Sequence, residues 1–111
     1  MIITFDNKKL EKLANNDRAA TAELGKLRAT KFKQRLSDLF DSITLEDTRY
    51  LPGNFHELKT NRKGSWACDL DQPYRLIFRP NENPIPIDGN GRYIWSAIKS
   101  VEILEIVNYH N

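Results

Sequence analysis

An α+β domain, helices first and sheet second, is predicted by three observations. Residues up to about Ser42 carry apolar side chains at helical spacing. Leu51-Pro52-Gly53-Asn54 then ends that pattern. Beyond it, two alternating runs joined by Asp71-Gln72-Pro73 have the form of an antiparallel hairpin. The 111 residues suffice for one domain with a hydrophobic core and are too few for two of ordinary size, so 1–111 is expected to be a single domain.

The elements follow in order. Met1 to Phe5, with Ile2, Ile3 and Phe5, predicts a short opening strand, and Asp6 or Asn7 is placed to cap a helix carrying Leu10, Leu13 and Ala14. A second helical region spans about Asp17 to Ser42. Its first apolar stripe, Ala20, Leu24 and Leu27, is out of phase with its second, Phe32, Leu36, Leu39, Phe40 and Ile43, which predicts a break between Gly25 and Thr30. The opposite face, Lys26, Arg28, Lys31, Lys33 and Arg35, is expected to be a solvated helix surface. Trp66, Cys68 and Leu70 share one face of a strand. Tyr74, Leu76 and Phe78 alternate with Arg75, Ile77 and Arg79 along its partner, which sends the two arginines to the exposed sheet face. Asn81 to Gly91 holds two of the five prolines and two glycines and is expected to be a surface loop. A closing strand is expected from about Trp95 to Tyr109.

Composition narrows function. Hydrophobic residues at 40% and charged residues at 29%, with only 5 Gly and 5 Pro, fit neither a disordered chain nor a fibrous repeat. Seventeen basic against fifteen acidic residues leave +2, so contact with a nucleic acid must come from local clustering. Cys68 is the one cysteine and cannot form an internal disulfide. The opening MIITFDNKK has no apolar stretch of signal-peptide or membrane-span length, and the expectation is a cytoplasmic protein without a membrane role. No Cys-rich or His-rich patch calls for zinc, haem or an iron–sulfur cluster, so neither a metal nor a cofactor is expected. Asp88-Gly89-Asn90-Gly91 resembles the middle of a calcium loop, but Pro86 and Ala97 stand where ligating carboxylates are needed.

The densest chemistry lies in His56-Glu57-Leu58-Lys59-Thr60-Asn61-Arg62-Lys63-Gly64, directly ahead of the hairpin. Together with Arg75 and Arg79, the cations Lys59, Arg62 and Lys63 would form a basic groove suited to backbone phosphates, against the plainer reading of scattered solubilising charge. The two histidines, His56 and His110, are the side chains best able to move protons near neutral pH. A closing strand of unbroken period two would put Asn108 and His110 on one face and Tyr109 on the other, so their joint action requires a turn near Asn108. Trp66 and Trp95 are expected to pack in the core or on the sheet, and Cys68 to be a buried small hydrophobe.

The run LPGNFHELKTNRKGSWACDLDQPYRLIFRP and the closing VEILEIVNYH resemble HigB-like toxins of the RelE/ParE superfamily, also called plasmid-maintenance killer proteins. The most specific parts are HELK-x-x-RKG, DLD-x-PYRLIF and EIV-x-YH. The resemblance implies a microbial RNase-type fold, a small twisted antiparallel sheet with helices on one face. It implies the toxin of a type II toxin–antitoxin system, a ribosome-dependent endoribonuclease that cuts mRNA in the A site and so inhibits translation. The implied partners are a HigA-like helix-turn-helix antitoxin, the ribosome and mRNA, with operator DNA reached only through the antitoxin.

By motif, His56, Lys59, Arg75, Tyr109 and His110 match positions used in the family for catalysis or phosphate contact. Arg62, Lys63, Arg79 and Asn108 are the accompanying candidates for RNA binding. HigB-like proteins commonly carry Asp before the Tyr-His pair, whereas Asn108 stands here, and an amide can neither take a proton nor support a cationic imidazole electrostatically. Metal-free cleavage through the 2′-OH needs a base, cations around the phosphorane charge, and an acid at the departing oxygen. Two further functions are open: a ParE-like gyrase inhibitor, and an RNA-binding module with weakened catalysis.

Overall fold

The computed structural model describes residues 1–109, in the order β1 (Ile2–Phe5), α1 (Lys8–Asn15), α2 (Asp17–Leu24), α3 (Lys26–Asp41), β2 (His56–Glu57), β3 (Trp66–Asp69), β4 (Tyr74–Pro80) and β5 (Ser100–Asn108). The fold is α+β. Asn7 starts α1 by accepting the Leu10 amide at 2.9 Å, and Asn16 starts α2 by accepting that of Ala19 at 3.0 Å. Gly25, at a φ of 82°, separates α2 from α3 at the near edge of the expected break.

The strands lie in the order β1-β5-β4-β3-β2. Each neighbouring pair is antiparallel except β1 with β5, which run parallel, so the sheet is mixed where an antiparallel one was expected. A parallel pair needs a long crossover, and everything from α1 to β4 supplies it. The hairpin of β3 and β4 pairs Trp66 with Phe78 and Cys68 with Leu76. Its inner face joins Val101 and Ile103 of β5 and packs on Leu10, Leu13, Phe32 and Leu39 of the helices. Fully burying each such side chain stabilises the fold by about 1.5–3 kcal/mol.

Helix α3 buries Ala29, Phe32, Arg35 and Leu39. Phe40 comes one residue after Leu39 and is therefore turned about 100° away. It is 69% exposed, and Ile43, beyond the helix end, is 75% exposed, so neither belongs to the expected core stripe. Leu27 is also exposed.

Two of the five supposedly solvated cations are structural instead. The Arg28 guanidinium stacks 3.4 Å from the centre of the Tyr74 ring and pairs with both Asp71 carboxylate oxygens, at 3.0 and 3.2 Å. Arg35 is buried; its Nε donates to the Asp69 carbonyl at 2.7 Å, and Nη1 lies 3.5 Å from Asp38. Helical spacing does not distinguish a cation facing water from one facing a hairpin turn that crosses the helix.

Trp66 is fully buried, with Trp95 edge-on to it at 5.4 Å. The segment from Trp95 to Ala97 is a 3-10 turn, so β5 begins at Ser100 rather than near Trp95. The Glu82 carboxylate explains the later start: it accepts the amides of Lys99 and Ser100 and the Ser100 hydroxyl, at 2.7 to 3.3 Å. No helix among the described residues is long and apolar enough to cross a membrane.

Cys68 sits in the core, where burial pushes its thiol well above the ordinary range. Alkylating reagents are therefore expected to modify it only as the protein unfolds, with the labelled fraction tracking the circular-dichroism transition in urea. Prompt, complete labelling in native buffer would contradict this placement.

Candidate functional site

The helix-free face of the sheet is organised by cross-strand rows. His56 pairs with Ala67, Ala67 with Ile77, and Ile77 with Glu105, which places the four side chains in one row. The next row holds Asp69, Arg75 and Val107; on the other side, Arg79 faces Glu102. Ile77 is fully buried within this face and forms its apolar floor.

One residue decides what β5 contributes. Ile77 pairs with Glu105 but its neighbour Phe78 pairs with Ile103, which leaves Leu104 as an extra residue, a β-bulge. Before the bulge Val101 and Ile103 face the core and Glu102 faces out; after it, Ile106 faces the core while Glu105 and Val107 face out. The phase change also brings Tyr109 to the outer face, where the Arg75 guanidinium carbon lies 4.4 Å from the centre of its ring. The Tyr109 amide donates to the Pro73 carbonyl at 3.1 Å, fastening this end of the chain to the hairpin turn.

Asn108 pairs in register with Tyr74, a residue packed against the core, and so lies on the opposite face of β5 from Tyr109. His110 lies outside the described residues. Glu105 was missed because unbroken alternation puts it in phase with Val101 and Ile103. The only sequence signal was a glutamate at a core-phase position, and that is the mark of a bulge.

His56 is half-buried on the edge strand. Its Nδ1 lies 2.6 Å from the Asn54 carbonyl oxygen. A carbonyl can only accept, so Nδ1 carries a proton, and in the neutral imidazole the lone pair is on Nε2. Asn54, at a φ of 55°, and Gly53, at 114°, form the turn that aims this carbonyl. By strand geometry the His56 and Arg75 backbones lie two strands apart, about 10 Å, and offset by one pleat repeat, about 7 Å, so the two side chains rise from the same face of the sheet.

The groove is not a bare cationic track. Arg75 Nε is 3.2 Å from Asp69 Oδ1, Arg62 Nη1 is 3.1 Å from Glu105 Oε2, and Arg79 Nη2 is 2.8 Å from Glu102 Oε1. Among the described residues, Lys59 and Lys63 are exposed and in no ion pair. Arg62 and Glu105 are 40% and 46% exposed, and pairs at that exposure contribute about 0–1 kcal/mol, so a phosphate can displace the carboxylate at small cost. Asp69 is held more firmly: its amide donates to the Gly53 carbonyl at 2.7 Å and its carbonyl accepts from Arg35. Arg62, Arg75 and Arg79 thus lie along one face but alternate with carboxylates, because β5 presents Glu102 and Glu105 to two of them and β3 presents Asp69 to the third.

No protein-family model matches the sequence, and no curated protein matches it. Among solved structures, the chain is similar to one in a YoeB-YefM complex from Staphylococcus aureus, with a TM-score of 0.58 at 15% identity over 96% of this chain and 93% of that one. A YoeB/ParE toxin from Agrobacterium tumefaciens matches with a TM-score of 0.48 at 12% identity over 96% and 95% of the two chains. At 15% identity the first likeness is one of architecture, and over nearly its whole length the present chain has the fold of that chain of the YoeB-YefM complex.

Proposed function

We infer that the protein is the toxin of a type II toxin–antitoxin pair in the RelE/ParE superfamily, of HigB-like type, and a ribosome-dependent endoribonuclease that cuts mRNA without a metal. The observation that carries this reading is the cluster on the open sheet face: the available Nε2 of His56, and the Arg75 guanidinium stacked on Tyr109. The shared fold with a chain of the YoeB-YefM complex supports a toxin with an antitoxin partner, and the HELK and Tyr-His motifs support the HigB-like type and a HigA-like partner.

The chemistry fits an internal displacement. The 2′-oxygen forms a bond to phosphorus while the bond from phosphorus to the 5′-oxygen breaks, leaving a 2′,3′-cyclic phosphate and a 5′-hydroxyl. His56 takes the 2′-OH proton through Nε2, and Arg75 with Lys59 steadies the charge on the non-bridging oxygens. Tyr109 or His110 returns a proton to the 5′-oxygen. Glu105, in the row of His56, keeps Arg62 beside the groove until phosphate replaces it.

Inducible expression followed by mapping of mRNA 5′ ends in a translating extract tests this, with DNA gyrase supercoiling in parallel. Growth arrest with new mRNA ends and unimpaired supercoiling is the expected result. Arrest with inhibited supercoiling and intact mRNA would make the protein a gyrase inhibitor, and binding to RNA without new ends would make it a binding module.

A further inference from the structure

A second concavity opens beside this groove, a cleft of about 360 Å³. One wall is the turn Lys63-Gly64-Ser65, which directly follows Arg62. A second is the end of β4, Arg79 and Pro80, on the strand that carries Arg75. The third is the 81–94 loop, which contributes Glu82, Ile85 and Tyr93. Arg79 lies four residues, or about 13 Å, along β4 from Arg75 on the same face. The cleft therefore opens at the Arg79 end of the strand face that carries Arg75.

Its walls are built in advance. Glu82 is fastened to the start of β5 by the bonds described above, so its oxygens are already occupied by three donors, the Lys99 and Ser100 amides and the Ser100 hydroxyl. The Tyr93 ring stands edge-on to Trp95 at 5.4 Å, and Trp95 in turn packs edge-on to Trp66 at the same spacing, so an aromatic series ties the loop to the core. Gly64, at a φ of 92°, sits so close to Tyr93 that a Cβ built there would lie 3.4 Å from the ring. What the walls leave for a ligand is the Lys63 ammonium, the Arg79 guanidinium behind its exposed bond to Glu102, and the half-buried Tyr93 ring. A cation beside an aromatic ring, next to a phosphate-binding groove, is the chemistry of a single-stranded nucleotide site, with phosphate on the cation and base against the ring.

We propose that this cleft binds a nucleotide flanking the scissile linkage, and that Lys63 and Tyr93 set which sequences are cut. The proposal rests on the nuclease reading for its cutting step, but its binding step stands by itself. The test uses the intact protein. Affinity for a fluorescein-labelled single-stranded RNA oligonucleotide is measured as a function of salt for wild type, Lys63→Gln, Tyr93→Leu and Tyr93→Phe, and mRNA ends are mapped for the same four. Protection of Cys68 from alkylation serves as the check of folding.

Tyr93→Leu is expected to weaken oligonucleotide binding about fivefold or more, with Tyr93→Phe close to wild type. Lys63→Gln is expected to lower the slope of log affinity against log salt by roughly 0.7. Both Tyr93→Leu and Lys63→Gln are expected to redistribute the cut sites. Wild type that cuts mRNA, with cut sites and affinity unchanged in folded Lys63→Gln and Tyr93→Leu, would overturn the cleft as a subsite and leave the nuclease standing. Wild type that binds RNA through Lys63 and Tyr93 but does not cut would keep the site and remove the nuclease. Wild type that neither binds nor cuts would remove both.

Discussion

Replacing His56 with alanine is expected to lower mRNA cleavage by about a hundred- to ten-thousand-fold, the range lost with a general acid–base group, and to abolish growth arrest on induction. The cause is local. The bond from Nδ1 to the Asn54 carbonyl fixes the ring and, in the neutral imidazole, makes Nε2 the nitrogen that can accept a proton. Alanine removes the acceptor together with one hydrogen bond worth about 0.5–1.5 kcal/mol, too little to unfold the domain. His56→Gln keeps a polar side chain at the edge strand without an imidazole, and it should be as inactive as the alanine variant while melting close to wild type. Cleavage by either variant at the wild-type rate in a translating extract would take His56 out of the chemistry. The growth assay alone would not suffice, because a variant that merely fails to accumulate also spares the cell.

The second large effect is on stability. Arg35→Ala is expected to destabilise the protein by about 2–4 kcal/mol, because it leaves the Asp69 carbonyl without its donor and opens a hole under the hairpin turn. For a domain of this size that corresponds to a fall in melting temperature of roughly 10–20 °C. Gly53 explains why the site tolerates little else: a Cβ there would lie 2.7 Å from the Arg35 Cζ and Nε atoms, so the guanidinium is packed directly on the turn. The same substitution should reach the open face. Asp69 is fixed through its backbone by Arg35 and Gly53 and presents its carboxylate to Arg75, so loosening it frees the Arg75 side chain. Thermal melts of purified Arg35→Ala and Arg35→Lys decide the matter: a fall of less than about 3 °C in both would show that the buried guanidinium contributes little to the fold. Lysine keeps the charge but not the planar donor set, so it should recover only part of the loss.

How far these residues could be foreseen differs between the two cases. His56 stands out as a candidate because an imidazole in a cation-rich stretch ahead of a hairpin is uncommon in sequence, whatever its surroundings. Arg35 does not. It stands among Lys26, Arg28, Lys31 and Lys33 on a helix face with nothing local to mark it, and its role comes from a turn more than thirty residues away. Glu105 was hidden for a different reason. Its position follows from a one-residue slip of register between β4 and β5, and a slip of that kind changes the face of every residue after it while leaving the composition of the strand the same.

Local chemistry determined the elements: apolar spacing set the helices, Asn7, Asn16 and Gly25 set their ends, and the alternation through Tyr74 to Arg79 set the hairpin and the outward direction of its arginines. Each of those depends on neighbours within a few residues. Only the tertiary structure decided that β1 joins β5 in parallel, that Leu104 bulges, that Tyr109 and Glu105 share the face of Arg75 while Asn108 does not, and that each of Arg62, Arg75 and Arg79 meets a carboxylate. Those outcomes depend on pairing between distant segments. Which of two registers buries more apolar surface is a comparison made over the whole core, and no window of the sequence contains it.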